Sequence, residues 1–192
     1  MQGRAHLRMK GDYNWDSLEL QVGGKDRFYK GVTVVPFIAT VPFTGDPESE
    51  RLRTEMADPS CMLPAEGSQP PDIVVGTLDL NQGTKLPAEE LMGQRPADGD
   101  KALLRAYISN VCVAQAARRR GIAKLLISAA AEEAAQRGIH HLYVHVEAAN
   151  AAAHKLYTEQ CGFCLEQEES EGSARALNRP RRLLLWRPVG SQ

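Results

Sequence analysis

Ala106-Tyr-Ile-Ser-Asn-Val-Cys-Val113, followed after four residues by Arg118-Arg-Arg-Gly-Ile-Ala123, is the stretch from which the fold is read. Its first half is rich in β-forming residues and predicts a strand within Leu103 to Val113. A helix follows, from about Ile122 to Arg137. Ile122, Leu125, Leu126, Ala129 and Ala130 fall at i, i+3, i+4, i+7 and i+8, which makes one apolar face. Gly138 is the usual stop. A second strand reads His141-Leu-Tyr-Val-His-Val-Glu147, and Asn150 is a good N-cap for a helix Ala151 to Cys161 that carries Tyr157. Gly162-Phe163 ends that helix. A basic, glycine-containing turn that opens a helix is an anion site. The first N–H groups of a helix lack intrahelical partners, and that end of the dipole is positive.

This pattern resembles the acetyl-CoA-binding core of the GNAT N-acetyltransferase superfamily. The family turn reads Gln/Arg-x-x-Gly-x-Gly/Ala, and Arg118, Gly121 and Ala123 occupy its fixed places. Asn150, Tyr157 and Gly162-Phe163 match the second half in order and spacing. Gly76-Thr-Leu-Asp-Leu80, Leu86-Pro-Ala-Glu-Glu-Leu91 and Arg105-Ala-Tyr-Ile-Ser-Asn110 look like the plastid branch of plants and algae. RimI-like protein N-terminal acetyltransferases are also similar. The resemblance implies a mixed α/β (α+β), mostly antiparallel sheet of about six or seven strands with helices on both faces and splayed central strands.

Composition bounds the remaining choices. The 192 residues fit one domain, with 106–163 as its cofactor-binding core. Net charge is −1, so nothing suggests a bulk nucleic-acid binder. No apolar run approaches the ~18 residues of a membrane span. Cys61, Cys112, Cys161 and Cys164 are too few for a disulfide scaffold and read as reduced thiols. Cys161-Gly-Phe-Cys164 has CxxC spacing but no second pair, so no metal is expected. Met1 to Gly11 is basic, lacks the apolar stretch of a secretory signal, and is short for an organelle transit peptide.

The rest of the chain is less regular. Residues 1–30 show no clear helical period, although Trp15, Leu18, Leu20 and Val22 suggest a first strand. The resemblance implies two short helices after that strand, forming the acceptor groove. Val32 to Val41 predicts a strand in which Pro36 marks an edge or a bulge. Thr44 to Pro71 reads as a polar loop with a short helix near Glu48 to Met56. Ile73 to Leu80 is a strand, and residues 81–100 form a long polar connection. Phe163 to Gln167 and Arg182 to Trp186 read as closing strands, joined by a loop from about Glu168 to Arg181.

Acetyl-CoA requires donors for its pyrophosphate, a strand edge for its pantetheine, and a proton for its departing thiolate. Arg118, Arg119, Arg120, Gly121, Ile122 and Ala123 meet the first need: Gly121 lets the backbone approach, and arginine against a helix N-terminus makes sense with an anion there. By resemblance, Val111, Cys112 and Val113 offer the strand edge, and Asn150 lies near the pantetheine; a plain helix cap is its other reading. Tyr157 stays protonated at neutral pH and can give its proton to the thiolate, which is the role the family gives a Tyr at this place; a packed aromatic is the alternative. His145 stands where RimI-like relatives have a Glu base, and Glu147, two residues on and facing the same side, is the second candidate base. His140 and His141 are expected to face solvent.

The leading expectation is therefore an acetyl-CoA-dependent protein N-acetyltransferase, acting on α-amines and on lysines, by direct transfer. The partners implied are protein or peptide amines, with a ribosome or another acetyltransferase subunit also compatible, and the compartment implied is the plastid. Two alternatives stand beside it: a small-amine N-acetyltransferase, and an acetyl-CoA-binding protein without turnover.

Overall fold

The computed structural model describes residues 4–6, 19–22, 27–29, 32–56, 61–64, 71–83, 86 and 104–189. In chain order these form β1 (Arg4–His6), β2 (Glu19–Val22), β3 (Arg27–Tyr29), β4 (Val32–Pro42), α1 (Pro47–Met56), β5 (Met62–Leu63) and β6 (Asp72–Gly83). Then come β7 (Arg105–Val113), α2 (Ile122–Gln136), β8 (His141–Glu147), α3 (Ala151–Lys155), β9 (Cys164–Glu168), α4 (Glu171–Ala176) and β10 (Arg182–Pro188). One sheet runs β1-β2-β4-β6-β7-β8-β10-β9, with β3 beside β4 and β5 beside β6. Seven strands have four residues or more. Every pairing is antiparallel except β7 with β8. The α2 crossover between those two parallel strands is the connection such a pair needs.

The expected central elements form at or within a few residues of their expected limits. Pro36 is a finding of another kind. It pairs with Asp79 on β6, but on its other side β3 stops opposite Val34 and β2 starts opposite Phe37. A residue without an N–H therefore sits in a gap between two partner strands, at a local edge. The bulge in β4 lies further on, between Ala39 and Thr40. Trp15, Leu18 and most of 81–100 lie outside the described residues, whereas the two acceptor-groove helices expected after the first strand have no room there: only nine residues separate Val22 from Val32, and Arg27–Tyr29 of these form β3.

Two expected elements differ. The 151–161 helix is α-helical only to Lys155, and Leu156–Gln160 widens into a π turn. The loop after β9 contains α4, where Ser170 Oγ caps by accepting from Ser173 N at 3.1 Å. Both departures are local hydrogen-bond choices that an apolar period does not encode.

The main core lies on one face of the sheet. Phe37, Leu78, Ile108, Val144 and Leu185 from the strands meet Leu52 of α1, Leu126 of α2 and Tyr157 of the π turn. So α1, α2 and the segment 151–160 share a single cluster. The opposite face carries a smaller cluster of Leu86, Tyr107, Tyr143 and Leu184, with Trp186 against it.

Candidate active site

The site grows from what happens to β7 halfway along. Ala106 and Ile108 point into the main core, so strict alternation would send Asn110 and Cys112 there too. Instead Asn110 and Cys112 are exposed, while Val111 and Val113 pack against the core. The reversal comes from a bulge. Ser109 pairs with Asp79 and Cys112 with Thr77, so Asn110 and Val111 together face Leu78 alone. Asn110 takes the left-handed conformation this requires, φ 53°. Its Nδ2 donates to Asp79 Oδ2 at 2.6 Å, and its carbonyl accepts from Thr77 Oγ1 at 3.3 Å.

β7 and β8 part at the same level. Their pairing runs from Arg105 with His141 to Ile108 with Val144 and then ends, although the strands continue to Val113 and Glu147. Ser109 to Val113 therefore shows one backbone edge that β8 does not use. This is the splay expected of the central strands.

At the far end of that edge the chain enters the glycine turn. Arg118 Nε donates to Val113 O at 3.2 Å, which ties the turn to the strand. Arg119 has φ 65° and Gly121 φ 79°, both left-handed, and α2 begins at Ile122 without a side-chain cap. The first-turn N–H groups of α2 thus have no side-chain cap, the kind of helix start that suits an anion. Gly76 brings that helix start close to the sheet: a Cβ there would stand 3.0 Å from Ile122 Cγ2, 3.1 Å from Leu126 Cδ1 and 3.2 Å from Cys112 O. Ile122 is buried, Ala123 half-buried, and Arg118 and Arg119 exposed.

On the other side of the splay, Tyr107 Oη lies 3.0 Å from His145 Nδ1, with the rings 5.5 Å apart and tilted. Tyr157 is only 5% exposed and meets the edge of Phe163 at 5.6 Å. Burial holds its phenol protonated well above the usual tyrosine range, with Cys161 and Tyr107 adding to the effect. Asn150 Oδ1 caps α3, accepting from Ala153 N at 3.0 Å. Glu147 is exposed at the end of β8, in register with Arg182. His140 and His141 are exposed. Cys161 is buried and Cys164 exposed, and the described residues hold no His/Cys/Asp/Glu group suited to a metal ion.

Three residues of this arrangement are absent from the sequence-based set: Tyr107, Asn110 and Asp79. Asn110 carried a usable signal, since asparagine inside a β-rich run is a candidate for positive φ. Tyr107 carried none, because its partner is distant in sequence.

Residues 37–163 match the Acetyltransferase (GNAT) family. The chain is 35% identical over 181 residues to "GCN5-related N-acetyltransferase 7, chloroplastic" of Arabidopsis thaliana, an alignment covering 94% of this chain and 62% of that protein. It is 39% identical over 97 residues to "GCN5-related N-acetyltransferase 6, chloroplastic" of the same plant, covering 47% and 33%. The chain thus spans less than two thirds of the length of either relative. The solved structure of nourseothricin acetyltransferase superposes with a TM-score of 0.50 at 18% identity, covering 82% of this chain and 66% of that one, which is a likeness of fold. The family match spans residues 37–163, about two thirds of the chain, and the chain belongs to the GNAT acetyltransferase family.

Proposed function

We propose that this chain is an acetyl-CoA-dependent N-acetyltransferase acting on protein N-terminal α-amines and on lysine ε-amines by direct transfer. The observation that carries the proposal is the parting of β7 from β8 after Ile108 and Val144, with the glycine turn at one end and Tyr107, His145 and Tyr157 near the fork. Arg118 to Ala123 would hold the pyrophosphate, through backbone N–H groups at the start of α2 and through guanidinium charge. The free edge of Val111 to Val113 would take the pantetheine amides and polarise the acetyl carbonyl. Asn150 Oδ1 accepts one hydrogen bond as a helix cap, which leaves its amide nitrogen and a second Oδ1 lone pair for a role toward the pantetheine.

The step balances without a covalent enzyme intermediate. The acceptor nitrogen attacks the thioester carbon, a C–N bond forms, and the C–S bond breaks. His145 would take the amine proton, its ring held by the 3.0 Å bond between Nδ1 and Tyr107 Oη. Glu147, exposed two residues on, is the second choice for that role. Tyr157 gives its proton to the CoA thiolate, and burial keeps that proton in place across the working range. An α-amine of pKa about 7.7–8.0 asks little of a base, whereas a lysine near 10.4 asks more, so α-amines are the favoured acceptors. Both aligned relatives carry "chloroplastic" in their names, which supports a plastid location.

The test is thiol release from acetyl-CoA with two peptide pools, one with free α-amines and blocked lysines, the other reversed. Turnover on the first pool is the expected result. Turnover on the second pool alone moves the acceptor to lysine. Acetyl-CoA binding without turnover on either pool overturns the proposal.

A further inference from the structure

The geometry points to Asp79 and Asn110 as a latch that sets the strand edge receiving the thioester; both are positioning residues, and the inference rests on the acetyl-transfer function proposed above. Asn110 is a non-glycine residue held at φ 53° in the middle of a strand. That conformation is costly and persists only where its surroundings enforce it. Two cross-strand bonds do so here: Asn110 Nδ2 to Asp79 Oδ2 at 2.6 Å, and Thr77 Oγ1 to Asn110 O at 3.3 Å. They clamp the bulge from both neighbours of Leu78, the residue the bulge faces. The bulge in turn makes Val111 and Val113, rather than Asn110 and Cys112, pack against the core. It thereby decides which N–H and C=O groups lie along the edge that β8 leaves free.

The amide-to-carboxylate bond has a direction that chemistry can reverse. Asn110 must donate and Asp79 must accept, because an ionised carboxylate has no proton to give. Behind it, Asn81 Nδ2 donates to Ser109 Oγ at 2.9 Å and to Tyr107 O at 3.0 Å, so the strand just before the bulge is fixed independently. Loosening the latch should then move Val111 to Val113 while leaving Tyr107 and His145 in place. A shift of this kind spoils alignment with the acetyl carbonyl more than it spoils cofactor affinity.

The test uses Asn110→Asp, its partner swap Asp79→Asn/Asn110→Asp, and Asn110→Gly. In Asn110→Asp two carboxylates meet, and one must stay protonated for the bond to form. Expected at about pH 8 is a loss in kcat of about tenfold or more, with KM for acetyl-CoA within about threefold, and recovery of kcat relative to wild type as the pH falls toward about 5. The swap restores a donor facing an acceptor and should recover kcat at neutral pH. Asn110→Gly keeps the left-handed backbone without the latch and should lose kcat while melting close to wild type. Hydrogen exchange at Val111 to Val113 is read on the same proteins and should quicken in Asn110→Asp and Asn110→Gly and slow again in the swap. Unchanged kcat and exchange in Asn110→Asp, or a swap no better than the single variant, overturns the latch. Wild-type protein that turns over no amine overturns the enzymatic function instead, and the exchange measurement still decides the latch.

Discussion

Tyr107 Oη and His145 Nδ1 meet at 3.0 Å across the two central strands just where those strands separate. Tyr107 belongs to the last stretch in which β7 pairs with β8, and His145 is the first β8 residue beyond it. The bond therefore does for the imidazole what the backbone ladder no longer does, fixing its angle at the fork. A base held this way depends on its holder. Tyr107→Phe is expected to lower kcat about tenfold, and His145→Gln by about 10²-fold, both with little change in KM for acetyl-CoA. Steady-state kinetics with saturating peptide checks both. Equal losses in kcat for Glu147→Gln would move the base to that residue.

Tyr157 gives a prediction on two axes. Its ring packs on Phe163 and its phenol is held protonated by burial, with Cys161 and Tyr107 contributing. Tyr157→Phe keeps the packing and removes the proton, so kcat should fall by about 10²-fold with the fold intact. The sign of the pH effect follows from the raised value. An unfolded tyrosine ionises near about 10 while the native one does not, so the stabilising contribution is complete below that pH and is lost as pH rises beyond it. Wild type should therefore lose melting temperature between about pH 9 and 11 more steeply than Tyr157→Phe. Thermal melts across that range provide the check.

The legible part of the chain is the part governed by local periodicity. Ile122, Leu126 and Ala130 announce α2 by spacing, and Gly121, Asn150 and Gly162 announce its start, the next cap and the next stop. What escapes is fixed by pairing between distant residues. The bulge at Asn110 depends on Asp79 and Thr77, which lie 31 and 33 residues away, and the Tyr107–His145 bond spans 38. The π turn at Leu156–Gln160 escapes for another reason: it keeps helical composition and changes only which carbonyl each N–H reaches. Pro36 shows the intermediate case. Its sequence signal was an edge or a bulge, and the structure resolves it as a gap between β3 and β2.

Glu169 carries the acid limb of stability. Its side chain is buried beside β10, where Arg179 Nη1 donates at 2.7 Å and the Arg182 backbone N–H at 3.1 Å. Burial alone would raise its carboxyl, but the Arg182 N–H, the Arg179 hydrogen bond and both guanidinium charges outweigh it and hold the group below the usual glutamate range. A lowered value means stability that is present above the unfolded pKa of about 4.3 and is lost as pH falls through the folded one. Glu169→Gln should lower the melting temperature at neutral pH and flatten its decline in acid. Melting curves between about pH 7 and pH 3 should converge for the two proteins at the acid end.

Gly76 links the sheet to the start of α2, and its substitution tests whether the helix must sit that close. A Cβ at Gly76 would lie 3.0 Å from Ile122 Cγ2 and 3.1 Å from Leu126 Cδ1, both side-chain atoms of the first turns of α2, and 3.2 Å from Cys112 O, which is backbone. The side chains can give a little and the carbonyl cannot without disturbing β7 itself. Gly76→Ala should therefore destabilise the fold by about 1–3 kcal/mol, the range for overpacking in a filled core. Ile122→Ala, which removes Cγ2, should cost about 2–5 kcal/mol by itself. Because these two residues share one contact, the double variant should cost less than the sum of the single ones. Part of the Gly76→Ala penalty should remain in the double variant, since the clash with Cys112 O is untouched. The functional consequence follows from where α2 begins: pushing Ile122 outward tilts the Gly121 turn away from the free edge of β7. KM for acetyl-CoA should rise several-fold in Gly76→Ala and recover in the double variant, as measured by initial rates beside denaturant unfolding. Strict additivity of the two stability changes, with KM unmoved, would mean that the helix start tolerates displacement and that its closeness to the sheet serves packing alone.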